Sequence, residues 1–249
     1  MNIALIGCQV LSREISYEVV ASSHCIRTWW LRQGLHDTPD LLRRDVQKTI
    51  DAIEAENECL PEEKRFEIIC LGYGLCSNGV IGLRARSLPL VIPRCDDCIS
   101  LFLGSSERYL ALFKQYAGCY WYNTGWIENA FTPSEHSYQT RLEQYIEEYG
   151  EDNAEYLLEM ENSWIKNYHH CCYIKSPVCE RPEHETYTKE AAEHFGWEYH
   201  CEQGDNTFLH ALLNGPWEES RFLTCPPGCR VAEEFTGKKF QALPVEEDL

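Results

Sequence analysis

The sequence predicts an α/β protein with a doubly wound, mostly parallel sheet and a helical insertion. Short apolar runs alternate with stretches whose apolar residues recur at helical spacing, which is the pattern of βαβ units. The opening run Asn2–Gly7 is continuously apolar, as in a strand that is buried on both faces. No internal repeat and no Gly- or Ser-rich linker interrupts the alternation. One α/β domain covering residues 1–249 is therefore expected, and a division into two lobes near residues 125–165 is the alternative.

The first half of the chain supplies five strand signals and the helices between them. The predicted strands are Asn2–Gly7, Cys25–Leu31, Phe66–Tyr73, Leu88–Pro93 and Gly118–Tyr122. The predicted helices are 12–22, Asp40–Glu58, a short helix ending at Arg86, and a helical region from Cys98 to about Tyr116.

Residues 128–167 break this rhythm, since they carry ten acidic and two basic residues. Helical spacing in 138–149 and 153–167 predicts a helical insertion, either a solvated acidic helix pair or a surface for association. The alternation then resumes. Further strands are predicted at Cys171–Ile174, Trp197–His200 and Phe222–Thr224, and helices at Glu185–Phe195 and Thr207–Leu213.

Composition restricts the class of partner. The formal net charge is −18 and no basic run is present, so nucleic acid and anionic membrane surfaces are not expected to bind. No apolar run reaches the length of a membrane span, and the apolar start lacks a basic leader, so we expect a cytoplasmic protein. Fourteen cysteines without an export signal favour a reducing, anaerobic cell over a disulfide framework. Small molecules, thiol substrates and metals are the fitting ligands.

Potential ligand residues follow the predicted strands. In an open parallel sheet, ligands bind beyond the carboxyl ends of the strands, at the point where strand order reverses. The residues at these ends are Cys8, His36, Tyr73, Gly74, Cys76, Asn78, Cys95, Cys98 and Trp126. We expect Cys8, Cys76, Cys98 and Cys95 to be metal ligands. His36 is a candidate fourth ligand or catalytic base, and Tyr73, Gly74, Asn78 and Trp126 are expected to line a cofactor or substrate.

Each of these residues also has a structural interpretation. Cys8 alone is equally a small buried side chain, and His36 equally caps the helix that follows it. Cys76 lies in a glycine-punctuated turn leading into the predicted short helix, where helix N–H groups would favour a thiolate. Cys95-x-x-Cys98 is a weak signal alone, because a zinc ribbon needs two such pairs. Aromatic residues near Trp126 are by default core.

Thiolates with one imidazole make a zinc site, and three protein ligands leave the fourth position open for chemistry. Thiolates equally suit an iron-sulfur cluster, and a Cys-x-x-Cys pair suits redox chemistry. The later cysteines are less convincing: Cys171 and Cys172 point to opposite faces of a strand, and Cys225-Pro-Pro-Gly-Cys229 is interpreted as a tight turn. The histidines at 169–170 and 184–210 show no shared register that predicts a cluster.

Three segments carry a resemblance to a known family. They are Leu71–Arg86 with its Gly-Tyr-Gly-Leu-Cys-Ser-Asn-Gly core, Val91–Ser105 with Cys-Asp-Asp-Cys, and Thr124–Glu128. Together with Ile6-Gly-Cys8 and Leu35-His36, they resemble the domain of unknown function 1638 family. That resemblance implies anaerobic bacteria and archaea, and genes near corrinoid-dependent methyltransferases.

Three functions are compatible with these observations. The first is a zinc-binding thiol-cluster enzyme or accessory protein in anaerobic one-carbon, corrinoid methyl-transfer metabolism. The second is an iron-sulfur or electron-transfer protein. The third is a non-catalytic partner of a corrinoid protein or methyltransferase, bound through the acidic helical insertion.

Overall fold

The computed structural model of the protein describes residues 1–179 and 181–245. The chain divides into two compact units. The first unit comprises Met1–Arg108 with the described part of Asp205–Leu249, and the second comprises Tyr109–Gly204. Each unit has its own parallel sheet. The expectation of one domain over residues 1–249 stays a prediction.

The first unit contains a five-stranded sheet in the order β2-β1-β3-β5-β9. Its strands are β1 (Asn2–Cys8), β2 (Cys25–Leu31), β3 (Ile68–Gly72), β5 (Leu90–Pro93) and β9 (Phe222–Cys225). All neighbours are parallel except β9, which pairs antiparallel with β5. This α/β architecture with a mostly parallel central sheet agrees with the doubly wound class predicted from the sequence.

The helices of this unit follow the alternation. They are α1 (Ser12–Ala21), α2 (Pro39–Cys59), α3 (Cys98–Leu103), α4 (Ser106–Gln115, which runs past the unit boundary) and α9 (Thr207–Asn214). A small antiparallel sheet of β4 (Arg84–Ala85), β10 (Cys229–Glu233) and β11 (Phe240–Pro244) completes it. The chain moves from β1 outward to β2 and then back to β3 on the other side of β1. The strand order therefore reverses between β1 and β3, which is where such a sheet opens a ligand crevice.

Two glycines allow close packing at this reversal. Gly7 of β1 is paired in register with Gly72 of β3. A Cβ on Gly72 would lie 2.9 Å from Cδ1 of Ile15 and 3.3 Å from the Cα of Gly7. Helix α1 consequently packs tightly over β1, which ends at Cys8, and over β3, which Tyr73 follows.

The second unit has a three-stranded parallel sheet in the order β6-β7-β8. Its elements are β6 (Cys119–Asn123), α5 (Thr124–Asn129), α6 (Glu135–Tyr149), α7 (Glu151–Glu161), β7 (His170–Lys175), α8 (Pro182–Phe195) and β8 (Glu198–Gln203). Tyr122, Tyr173 and Trp197 form its aromatic core with Cys171 and two alanines of α8. The helices α6 and α7 are the insertion that the acidic segment predicts.

Two local expectations are wrong, and one pair of strands was not predicted. The short helix ending at Arg86 is absent from the described residues: turns occupy the chain after Cys76 and lead into β4. The helical region from Cys98 is broken at Gly104, whose φ of 74° ends α3 in the left-handed region. The pair β10 and β11 was not expected, because these short strands are defined by pairing with each other and with β4.

Candidate functional site

The loops after β1, β3 and β5 bring four of the predicted thiols to one edge of the first sheet. We call Cys8, Tyr73, Cys76, Cys95 and Cys98 the strand-end thiol site. The groups lie close enough together that Cys8 influences the pKa of Cys76, Cys76 that of Cys95, and Cys98 that of Tyr73. The strand order of β1, β3 and β5 as successive neighbours is the reason why these loops converge.

The loop after β3 is fixed on the loop after β5 by backbone hydrogen bonds. The Leu75 N–H donates to the Cys95 carbonyl at 2.8 Å, and the Cys76 N–H donates to the Asp96 carbonyl at 2.8 Å. A Cβ on Gly74 would lie 2.8 Å from both the carbonyl oxygen and the Sγ of Cys95. Only glycine permits this approach, so Gly74 acts by removing bulk between the two loops.

Cys76 begins a turn with an uncommon backbone. Cys76, Ser77 and Asn78 have successive φ values of 45°, 57° and 66°, all in the left-handed region. Each non-glycine residue held there costs on the order of 1–3 kcal/mol, and such strain concentrates at functional sites. The Gly79 N–H donates to the Cys76 carbonyl at 3.0 Å, and the Arg43 guanidinium donates to the Asn78 carbonyl at 3.3 Å. The surrounding contacts thus hold a strained turn that presents the Cys76 thiol.

Burial keeps these thiols protonated in the absence of a cation. It raises the pKa of Cys76 to about 12, with the Asp97 carboxylate and Cys8 adding to the shift. Burial also raises the pKa of Cys8, although hydrogen bonds from the Val10 backbone and the Tyr73 hydroxyl lower it in part. The pKa of Cys95 lies well above its ordinary value for the same first reason. The expectation that helix N–H groups favour a Cys76 thiolate is therefore wrong, because turns rather than a helix follow Cys76.

Tyr73 lies among the thiols. Burial raises the pKa of its phenol, and Cys8, Cys76 and Cys98 add to the shift. Its hydroxyl is buried, and no oxygen or nitrogen of the described residues pairs with it. The Cys8 thiol is its polar neighbour. A polar hydroxyl directed at sulfur in a buried position is a feature of a site rather than of an apolar core.

The other predicted residues occupy varied positions. His36 lies in the 3-10 turn Leu35–Asp37 after β2, with Nε2 3.3 Å from Oδ1 of Asp37. Cys98 is the first residue of α3, and Asp97 caps that helix by accepting from the Ile99 N–H at 2.9 Å. Trp126 lies in α5 of the second unit. The roles of His36, Asn78 and Trp126 stay predictions.

A different cluster has the tightest set of metal-ligand atoms. Among residues 1–179 and 181–245, the group of three His, Cys, Asp or Glu ligand atoms within 4.8 Å of one another is His170, Glu198 and His200. The strand-end thiols are spread more widely than this. The expectation that these histidines share no register is wrong: Glu198 and His200 lie two apart on β8, and β8 pairs with β7. The Glu198-x-His200 spacing could have been noticed in the sequence. The pairing of Glu198 with His170 could not, because it depends on the register between two strands.

Gly74→Ala is expected to destabilise the first unit by about 1–3 kcal/mol, as overpacking does in close-packed interiors. The physical reason is that the new methyl group meets backbone at 2.8 Å, which cannot rotate away. Urea unfolding at neutral pH under reducing conditions measures the change. A midpoint equal to that of the wild type would show that the two loops are not in close contact.

The fold and the converging thiols define an α/β protein with a thiol-rich site at the reversal point of a parallel sheet. The chain belongs to the family described as Protein of unknown function (DUF1638), which matches residues 30–213, more than half of its length. The match includes all the strand-end residues except Cys8. No curated protein and no solved structure matches the chain. No helix in the described residues has the length and apolar character needed to cross a membrane.

Proposed function

We propose that the strand-end thiol site binds a thiol-preferring metal ion, with zinc as the first candidate. The observation that carries this proposal is the strained turn that directs Cys76 toward Cys8 and Cys95. Sulfur donors of this kind select zinc or iron-sulfur clusters over hard cations. Cys8, Cys76 and Cys98 are the proposed ligands, with Cys95 as a fourth thiol and His36 as an alternative fourth ligand or base.

The residues fit a cation in charge as well as in donor type. Protonated thiols with raised pKa values, packed beside the Asp97 carboxylate, would lose their protons to solvent when a metal binds, and the cation would compensate the resulting negative charge. Because the sulfur atoms are not all within 4.8 Å, binding requires their side chains to rotate inward. With only Cys8, Cys76 and Cys98 as ligands, bound zinc would supply a Lewis acid at an open coordination position.

The finer assignment follows the family resemblance. In anaerobic corrinoid methyl transfer, a thiol substrate would bind near this site in the cytoplasm, with Tyr73, Gly74 and Asn78 lining it. The Tyr73 hydroxyl would then donate a hydrogen bond to a sulfur atom. A corrinoid protein or methyltransferase partner would contact α6 and α7, where Tyr149, Tyr156 and Met160 are exposed among acidic residues.

Metal quantification on anaerobically purified protein tests the proposal. We expect Cys76→Ser to carry about one zinc per chain less than the wild type, since a lost ligand weakens a site more than the 10–100-fold seen for supporting residues. Cys59→Ser, an exposed cysteine at the end of α2, is the matched control and should retain the metal. If the protein has visible absorption that dithionite bleaches, the bound group is an iron-sulfur cluster instead of zinc. Wild-type metal content in Cys8→Ser and Cys76→Ser would refute the proposal.

A further inference from the structure

The amino ends of β7 and β8 hold three ligand atoms that converge on one point. Nδ1 of His170 lies 3.0 Å from Nε2 of His200. Oε2 of Glu198 lies 3.5 Å from Nδ1 of His170, and its Oε1 lies 3.9 Å from Nε2 of His200. All three residues belong to the second unit, so this cluster is independent of the strand-end thiol site.

Strand pairing produces this convergence. His170 is the register partner of Glu198, and Cys172 is the partner of His200. Because side chains alternate along a strand, Glu198 and His200 lie on the same sheet face as His170. The three residues are thus fixed on rigid neighbouring strands, which holds ligand positions better than loops do.

The ring of His200 is held in place from the other side. Tyr116 stacks on it with ring centroids 3.9 Å apart and an interplanar angle of 17°. The Tyr116 hydroxyl lies 3.5 Å from Oε1 of Glu202, a carboxylate on the same strand. Packing of this kind limits the rotation of a ligand imidazole, which is what supporting residues do at metal sites.

The three separations are close to those between the ligand atoms of one metal ion, and the shortest also fits a hydrogen bond. Zinc–nitrogen and zinc–oxygen bonds are about 2.0–2.2 Å, so ligand atoms around a tetrahedral ion are about 3.3–3.5 Å apart. The observed separations of 3.0, 3.5 and 3.9 Å lie on both sides of this value. Two neutral imidazoles can share one proton between the facing nitrogens, and the exposed Glu198 carboxylate can then accept from water. Without that proton, both nitrogens and the carboxylate are acceptors. A cation satisfies all three acceptors.

We propose that His170, His200 and Glu198 form a binding site for a first-row divalent metal of the zinc class. Two imidazoles with one carboxylate suit zinc, nickel, copper and iron better than magnesium or calcium. The net charge of −18 favours cation binding in general. The Glu198 side chain is 68% exposed, so the remaining coordination positions face solvent and can hold water or a small ligand.

Cobalt titration of the full-length, metal-stripped protein tests this site. In a Cys8→Ser/Cys76→Ser background, we expect one equivalent of Co²⁺ to bind with visible d–d absorption and no thiolate charge-transfer band. Adding His170→Gln or His200→Gln should abolish that equivalent. Glu198→Gln changes an exposed side chain and spares the fold, and it should raise the Kd at least about tenfold. His136→Gln and Glu155→Gln, both exposed on α6 and α7, are matched controls that should bind as the parent does.

The outcomes separate this site from the strand-end thiols. A thiolate charge-transfer band in the wild type reports the thiol site alone, so its absence would count against that site and leave the histidine equivalent unchanged. Co²⁺ stoichiometry and Kd in His170→Gln and Glu198→Gln equal to those of His136→Gln, with far-UV circular dichroism showing intact folding, would overturn the histidine site.

Discussion

Arg94→Ala is expected to lower the free energy of unfolding by about 4 kcal/mol, because it leaves two buried and two partly buried carbonyls without their donor. The Arg94 guanidinium donates to the carbonyls of Glu219 at 2.8 Å and Lys238 at 2.6 Å. It also donates to those of Phe222 and Phe240. One buried side chain therefore joins the end of β5 to β9 and β11.

Arg94→Lys tests whether the positive charge or the donor geometry of the guanidinium stabilises the protein. An ammonium keeps the charge but not the planar fork of donors, so we expect a loss between those of the wild type and Arg94→Ala. Arg86→Ala is the matched control, since its exposed ion pair with Asp51, at 3.1 Å, is worth at most about 1 kcal/mol. Chemical denaturation at neutral pH measures all three. Equal effects of Arg94→Ala and Arg86→Ala would contradict this hydrogen-bond network.

Raising the pH from 8 to 10 is expected to cost about 7 kcal/mol of stability through the buried cysteines outside the strand-end thiol site. Five buried thiols outside the strand-end site have pKa values that burial raises above the ordinary 9.0, and the values for Cys171 and Cys225 are about 12. The others are Cys70, Cys119 and Cys172. Because the unfolded chain loses these protons first, stability is full below pH 9 and falls as the pH rises toward the folded values. At pH 10, each thiol contributes a loss of about 1.4 kcal/mol.

The loss is comparable with the total stability of a typical domain, about 5–15 kcal/mol, so unfolding near pH 10 is expected. Urea titrations at half-unit pH steps, under anaerobic reducing conditions, measure it. Cys172→Ala should reduce the fall between pH 8 and 10 by about 1.4 kcal/mol, although it lowers stability at neutral pH. Cys25→Ala, at an exposed position, should leave the fall unchanged. A stability that is constant to pH 10 would show that these thiols are not buried in the native state.

The thiol-rich interior has a consequence for the site. Most cysteines of the core serve as small apolar side chains, so cysteine count alone does not indicate chemistry. Cys76 differs because its backbone is strained and because Cys8, Tyr73 and Asp97 are its neighbours. These features, rather than sulfur content, distinguish the strand-end thiol site from the core thiols Cys70 and Cys172.

The predictable part of the molecule is the part that depends on local periodicity. The apolar run at Asn2–Gly7 and the amphipathic spacing of Asp40–Glu58 became β1 and α2 with ends shifted by one residue. The short helix ending at Arg86 failed because Cys76–Asn78 adopt left-handed backbone, which nothing in their side chains requires. That conformation is imposed by hydrogen bonds to the loop after β5, more than fifteen residues away.

The sequence by itself determined the α/β class, the parallel strands and the placing of Cys8, Cys76 and Cys98 at their carboxyl ends. This was possible because the spacing of apolar residues predicts helices and buried strands, and because ligands bind at the carboxyl ends of parallel strands. Only the tertiary structure decided which loops meet, that Gly74 permits the contact, and that His170 lies opposite Glu198. Helix α8 connects β7 to β8, and its packing on the sheet fixes the register between the two strands. No local sequence pattern encodes that register.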